Sequence, residues 1–255
     1  MSLSPAGHRC YQEVQKSSGR INLATAALYI AQEEYWDMEP RVYLEALDDM
    51  AAAVRSRLPK GRYPLKVIQV LNQYLFDELK FAGNSQNYYD PDNSLLNCVI
   101  DRRLGIPITL SLVYLEIANR VQFPMVGVGM PGHFLVRPVV DEMEVFVDPF
   151  NQGETLFLAD CQQRFSQMFP SGEWRDSYFN GVMQRTFLTR MLMNLKFAYV
   201  QLEAESQQMR DRGLLHHRLE NFELARQDLE RYLRSHPTPP DSYQIQQILE
   251  RISRG

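Results

Sequence analysis

The sequence predicts an α+β fold, and two observations carry that prediction. Apolar residues recur at helical spacing through the first eighty positions and again from about residue 181, whereas the period switches to two between residues 125 and 150. A third observation bounds the size: 255 residues suit one large domain, or a domain with a smaller appendage. The expected division is a helical N-terminal part plus a mixed core over residues 1–182, followed by a helical region over 183–255.

The helices come first. Ile21, Ala24, Leu28, Ala31 and Tyr35 line one helical face. Pro40 opens a second helix with Tyr43, Leu47, Met50, Val54 and Leu58 on its buried stripe, and Pro64 opens a third carrying Ile68, Leu71, Leu75 and Leu79. The run GNSQNYYDPDN, residues 83–93, is turn chemistry and reads as a surface loop. Ser94 can cap a short helix through Arg103, with Gly105 at its left-handed end. Pro107 then starts PITLSLVYLEIANRV, apolar on most sides and therefore expected inside the domain.

After Phe123-Pro124 the segments MVGVGM, HFLVRPVV and EVFVDPF read as three strands, the last two joined at Asp141-Glu142. A helix is expected over residues 160–168. Further on, Gly213, Ala225 and Pro237 stand twelve apart, with Leu229 and Tyr232 at large apolar positions. That spacing resembles a tetratricopeptide repeat, a helix pair whose small residues sit where the helices touch. A single repeat cannot bury its own face, so it should stack on helices over residues 186–208 and 242–252.

Composition excludes several classes. Hydrophobic residues at 45% and charged ones at 23% are the mixture of a globular domain, not of a disordered or fibrous chain. A net charge of −4 argues against a nucleic-acid partner, whose phosphates call for a basic excess. No apolar run reaches the roughly 18 residues of a membrane span, and MSLSPAGHRC has no apolar signal core, so a cytoplasmic location is expected. Cys10, Cys98 and Cys161 are odd in number and far apart, which suits reduced thiols. With no CxxC or HExxH, no metal site and no cofactor are expected.

One pair carries possible chemistry. His133 and Asp148 fall on consecutive strands, and an even loop puts both on one face, within roughly 5–8 Å. An odd loop without a bulge would put them on opposite faces. A carboxylate beside imidazole fixes its tautomer and stabilises its charged form.

The stretch NSLLNCVIDRRLGIPITLSLVYLEIANRV…FP…GVGMPGHFLVRP…VFVDPFNQGE resembles transglutaminase-like proteins of the bacterial SirB type, which join such a domain to C-terminal tetratricopeptide repeats. The resemblance implies a papain-like core in which a nucleophilic Cys opens the central helix and His and Asp follow on strands. Gly132-His133 and Val147-Asp148-Pro149 match the His and Asp steps. The nucleophile step does not match. Active members place Cys seventeen residues before the proline of a Gly-Ile-Pro segment; that proline corresponds to Pro124, and the Cys position is then occupied by Pro107. Proline has neither thiol nor hydroxyl, so the thiolate the mechanism requires at a helix N-terminus is missing there.

The expectation is therefore a transglutaminase-like fold without its usual nucleophile that binds a protein or peptide, through a groove at Pro107, Thr109, Ser111, His133 and Asp148 and through the repeat helices. The competing class is an active cysteine amidase or protease built from Cys98, His133 and Asp148, and a third is a structural subunit in which the His–Asp pair is only a core contact. Thr109 and Ser111 could serve as hydroxyl nucleophiles or merely bond back to a helix carbonyl. Cys161 could be a redox thiol or a buried side chain, Arg102-Arg103 with Asp101 an anion site or a helix-end charge cluster, and His216-His217 a metal pair or plain surface. Tyr88-Tyr89-Asp90-Pro91 is either a recognition lip or a cover over apolar surface. The oligomeric state and the partner's identity stay open.

Overall fold

The computed structural model describes the chain except residues 1–3, 18, 62, 141–142, 219–220, 236–238 and 255, with the backbone alone at 204–205, 208, 211–213, 215–216, 218 and 254. The chain divides into two compact units, Met1–Leu195 and Lys196–Gly255.

In the first unit, α1 (Pro5–Val14) and α2 (Leu23–Ala31) start on side-chain caps: Ser4 Oγ accepts from Gly7 N at 2.8 Å, and Asn22 Oδ1 from Thr25 N at 2.8 Å. α2 is shorter than its apolar stripe. Ile21 and Tyr35 lie outside it, and Tyr35 instead donates its hydroxyl to Asp92 at 2.7 Å. α3 (Pro40–Arg57) and α4 (Pro64–Asn72) begin at the prolines expected to open them, since proline's fixed φ suits a first helical position. The apolar stripe of α4 runs on through a π-helical turn, Gln73–Glu78, which buries Leu75 and Phe76.

Two local expectations are corrected here. Residues 83–93 are not simply a surface loop. Ala82-Gly83 (β1) pairs in parallel with Leu104-Gly105 (β2), and Asn93 is fully buried. Its amide donates to the carbonyls of Asn87 at 2.7 Å and Tyr88 at 3.2 Å, while its Oδ1 accepts from Asn84 at 3.1 Å. A polar side chain can be buried when it meets the loop's own backbone groups in this way. The short helix, α5 (Leu96–Arg102), follows a 3-10 turn that contains Ser94, so Leu95 is its cap. Arg103, not Gly105, takes the left-handed end, with φ 60°.

α6 (Pro107–Arg120) is the spine of the unit. Every residue from Pro107 to Ala118 is buried, and the helix packs on α3 and on strands β3 and β4 of a four-stranded antiparallel sheet. The sheet is β3 (Met125–Val128), β4 (Leu135–Pro138), β5 (Val145–Asp148) and β6 (Glu154–Phe157), in that order. β6 went unread in the sequence because only Leu156 of its four residues is buried. Val136 pairs with Val147, the register that an even two-residue loop at 141–142 sets, although those loop residues lie outside the described ones. α7 (Leu158–Met168) closes over the far side of the sheet through Cys161 and Phe165, which cluster with Val128, Leu135 and Phe146.

α8 (Gln184–Arg218) is a continuous 35-residue helix. That corrects the expectation of a helix ending at 208 before a separate repeat helix: Gly213 lies within α8, and Pro237 lies outside the described residues. The second unit adds α9 (Phe222–Ser235) and α10 (Ser242–Arg254). Its core joins Leu229, Tyr232 and Ile245, and Ala225 is fully buried. Among the described residues no helix is long and apolar enough to cross a membrane.

Candidate functional site

The site forms where α6 begins. Pro107 follows the extended residue Ile106, and Thr109 ties this end down: its Oγ1 accepts from Ile106 N at 3.1 Å and donates to Asn93 O at 2.7 Å. Thr109 is thus a fully buried cap joining the helix to the loop of Tyr88, not an open hydroxyl. Ser111 is also fully buried, one turn beyond Pro107, and its Oγ has no partner among the described residues.

His133 reaches this end from the turn between β3 and β4. It was expected on the strand but stands two residues before it, because Gly132 adopts φ 73° and His133 N donates to Met130 O at 3.1 Å. Asp148 is the last residue of β5, with no exposure, where the chain turns into a 3-10 turn at Pro149–Asn151. Its Oδ1 accepts from the backbone of Phe150 at 3.1 Å and Asn151 at 3.3 Å. Its Oδ2 accepts from His133 Nε2 at 2.8 Å, Asn151 Nδ2 at 2.7 Å and Arg164 Nη1 at 2.9 Å.

Five donors around one carboxylate keep it ionised. Burial by itself would raise the Asp148 pKa, but the hydrogen bond and charge of His133 and the donors of Asn151 outweigh it and hold the group below the ordinary value. An ionised carboxylate only accepts, so Nε2 of His133 carries a hydrogen, and Nδ1 is the nitrogen left for a ligand. Phe150 meets the His133 ring edge to face at 6.1 Å, and Tyr88 meets Phe150 likewise at 6.0 Å.

In front of His133 lies a cavity of about 190 Å³, lined by Tyr88, Pro107, Ile108, His133, Phe134 and Arg190 among others. The structure therefore brings Pro107 and His133 to one cavity, with Asp148 behind the imidazole. Tyr88 of the candidate lip also lines it.

The remaining candidates lie elsewhere. Cys98 is buried in a cluster with Ala31 and Leu95, and burial pushes its thiol up to about 11 despite the hydrogen bond with Tyr35. Burial likewise pushes Cys161 up to about 12. Thiols so raised are almost entirely protonated near neutral pH, the opposite of an activated nucleophile. Arg102 is committed to Asp90 at 2.6 Å and Asp92 at 3.0 Å, and Asp101 accepts from Tyr43 at 2.8 Å, so that charge cluster holds the 90–92 turn. His217 rests against Phe222, and the side chain of His216 is outside the described ones. Among the described residues no three His, Cys, Asp or Glu side chains converge on a metal position.

Sequence reasoning missed Arg164, Asn151 and Arg190. Arg164 lies one turn from the fully buried Cys161 on α7, and Arg190 one turn from buried Phe187 on α8. A basic residue interrupting a buried helical face was the available signal for both.

Comparison with known proteins bears on the fold and the family. The profile of the transglutaminase-like superfamily matches residues 41–193, and that of the tetratricopeptide repeat matches 204–250. A UPF0162 protein from Xylella fastidiosa strain 9a5c is 36% identical over 241 residues, covering 86% of this chain and 85% of that protein. A UPF0162 protein from Pseudomonas aeruginosa is 30% identical over 175 residues, 68% of this chain and 63% of its own. F-box only protein 21 of Homo sapiens is 33% identical over 138 residues, 51% of this chain but 21% of that protein. No solved structure matches. With its central helix, its His–Asp pair and its C-terminal repeat, the chain belongs to the transglutaminase-like superfamily, within the UPF0162 family.

Proposed function

We propose that this chain is a SirB-type, non-catalytic member of the superfamily that binds a segment of a protein or peptide in the cavity between Pro107 and His133. The observation that carries the reading is the pairing of a maintained His133–Asp148 hydrogen bond with a proline at the helix position facing it. The imidazole is oriented as for proton transfer, yet Pro107 offers nothing to deprotonate. What is left is a small cavity of about 190 Å³ with a largely polar lining, where His133, Arg190 and Asn194 stand beside Tyr88 and Phe134, which suits a short polar segment of a partner. The region 183–255, with its tetratricopeptide repeat, would supply a second protein-binding surface. A cytoplasmic setting is part of the same proposal.

The alternative, a cysteine amidase or protease using Cys98, His133 and Asp148, has against it the burial of Cys98 and its raised pKa. The test is to incubate the full chain with peptide amides and with glutamine-containing peptides plus an amine donor. No turnover above background is expected. Turnover that disappears in Cys98→Ala or His133→Gln would overturn the non-catalytic reading.

A further inference from the structure

The cavity contains a charge, that of Arg190, which no carboxylate among the described residues pairs. Arg190 sits on the side of α8 that buries Phe187, Leu188 and Met191, a position where an apolar residue would pack at less cost. Its guanidinium lies 5.1 Å over the Phe134 ring, and Nη2 donates to the carbonyls of Met130 and His133, both at the long distance of 3.3 Å. No Asp or Glu among the described residues pairs with it. Arg120 and Arg164, also sheltered, each hold two carboxylates: Asp48 and Glu116 in one case, Asp148 and Glu154 in the other. Burial works against the Arg190 charge and lowers its pKa.

The surroundings favour an anion. None of the described lining residues is acidic. The charge of Asp148 is spent on His133, Asn151 and Arg164. The α6 terminus presents the positive end of a 14-residue helix, and Nδ1 of His133 is a further polar contact. Sheltered cations are as a rule paired, and a planar guanidinium matches a carboxylate in two parallel hydrogen bonds.

We propose that this cavity takes a carboxylate, bound by Arg190 over Phe134 and beside His133. The proposal rests on the reading of the cavity as a peptide-binding site and names the group it recognises. A peptide's C-terminal carboxylate and an Asp or Glu side chain share this chemistry, and about 190 Å³ holds one residue-sized group of either kind.

The test follows the His133 ring by NMR in the full chain, its signals assigned with His133→Gln. The probes are N-acetyl-alanyl-leucine as the free acid, the same compound as its C-terminal amide, and N-acetyl-glutamic acid N-methylamide, whose only carboxylate is on the side chain. At least one acid should shift the ring saturably while the C-terminal amide does not, and the acid that binds identifies the source. Arg190→Gln, which keeps a donor for the two carbonyls, should weaken the acid at least about tenfold, and Arg190→Lys should recover part of the loss. Equal binding of acid and amide would overturn the carboxylate proposal while leaving peptide binding standing. Undiminished acid binding in Arg190→Gln would also overturn it. A ring unmoved by every probe would count against both. If Arg190→Gln does not fold, the acid–amide comparison on the unaltered chain decides.

Discussion

Asp148→Asn tests the charged hub behind His133, and its effect can be worked from the geometry. The amide oxygen of Asn can keep the two backbone bonds to Phe150 and Asn151. Its NH₂ then faces three donors at 2.7–2.9 Å: Asn151 Nδ2, His133 Nε2 and Arg164 Nη1. His133 can escape by changing tautomer, so that Nε2 accepts. Asn151 is exposed, and the Arg164 side chain is 28% exposed and keeps Glu154, so both can turn toward water. Two charge-assisted bonds at about 1.5–3 kcal/mol each, discounted for that rehydration, leave a loss of about 2 kcal/mol. This is below the roughly 3–5 kcal/mol for stripping a fully buried pair.

The loss should depend on pH. The Asp148 pKa is held below its ordinary 3.8, so the carboxylate contributes stability that is fully present above about pH 5. That contribution fades as pH falls through 3.8 toward the folded value. Urea unfolding followed by tryptophan fluorescence reports the first unit, because both Trp36 and Trp174 lie within it. The difference between the two proteins, taken from the midpoint shift and slope, should be about 2 kcal/mol at pH 7 and should narrow near pH 3.5. A difference under about 0.5 kcal/mol at pH 7, or one that widens in acid, would refute the assignment of Asp148 as an ionised hub.

Three further outcomes follow from the same geometry. Pro107→Cys places a thiol in the first turn of α6 on the cavity that His133 lines, so its iodoacetamide reaction, read by peptide mass, should inflect below the free-thiol value of about 8.5; an inflection at or above that value would mean the helix end and imidazole do not act there. Gly129→Ala sets a methyl 2.3 Å from Arg190 Nη1 and should weaken the acid probe as Arg190→Gln does, with little change in melting temperature; unchanged affinity would contradict the placement of the guanidinium. Thr109→Val removes the cap and leaves Asn93 O without its donor, which should cost about 1–3 kcal/mol by urea unfolding; a neutral result would remove Thr109 from the link between α6 and the loop of Tyr88.

Much of the fold was legible in the residues because the signals were local. The prolines at 40, 64 and 107 each open a helix where they stand, since fixed φ acts on its own residue. The period-two segments became β3, β4 and β5, and the even loop at 141–142 agrees with the observed pairing of Val136 with Val147. Register arithmetic pointed to His133 and Asp148 as neighbours, and they do meet, but the contact is made from the turn before β4, where Gly132 places His133, and not from the strand itself. What needed the tertiary structure was whatever depends on partners far along the chain. Asn93 looked like loop surface but is buried, because the backbone it satisfies only then encloses it. Leu75 and Phe76 marked a stripe but could not announce a π-turn. Arg164 and Arg190 carry no motif, and they matter only because α7 and α8 bring one to a satisfied carboxylate and the other to a cavity with none. Chain spacing determines which side chains share a face, whereas the desolvation that gives a charge its meaning is decided by packing.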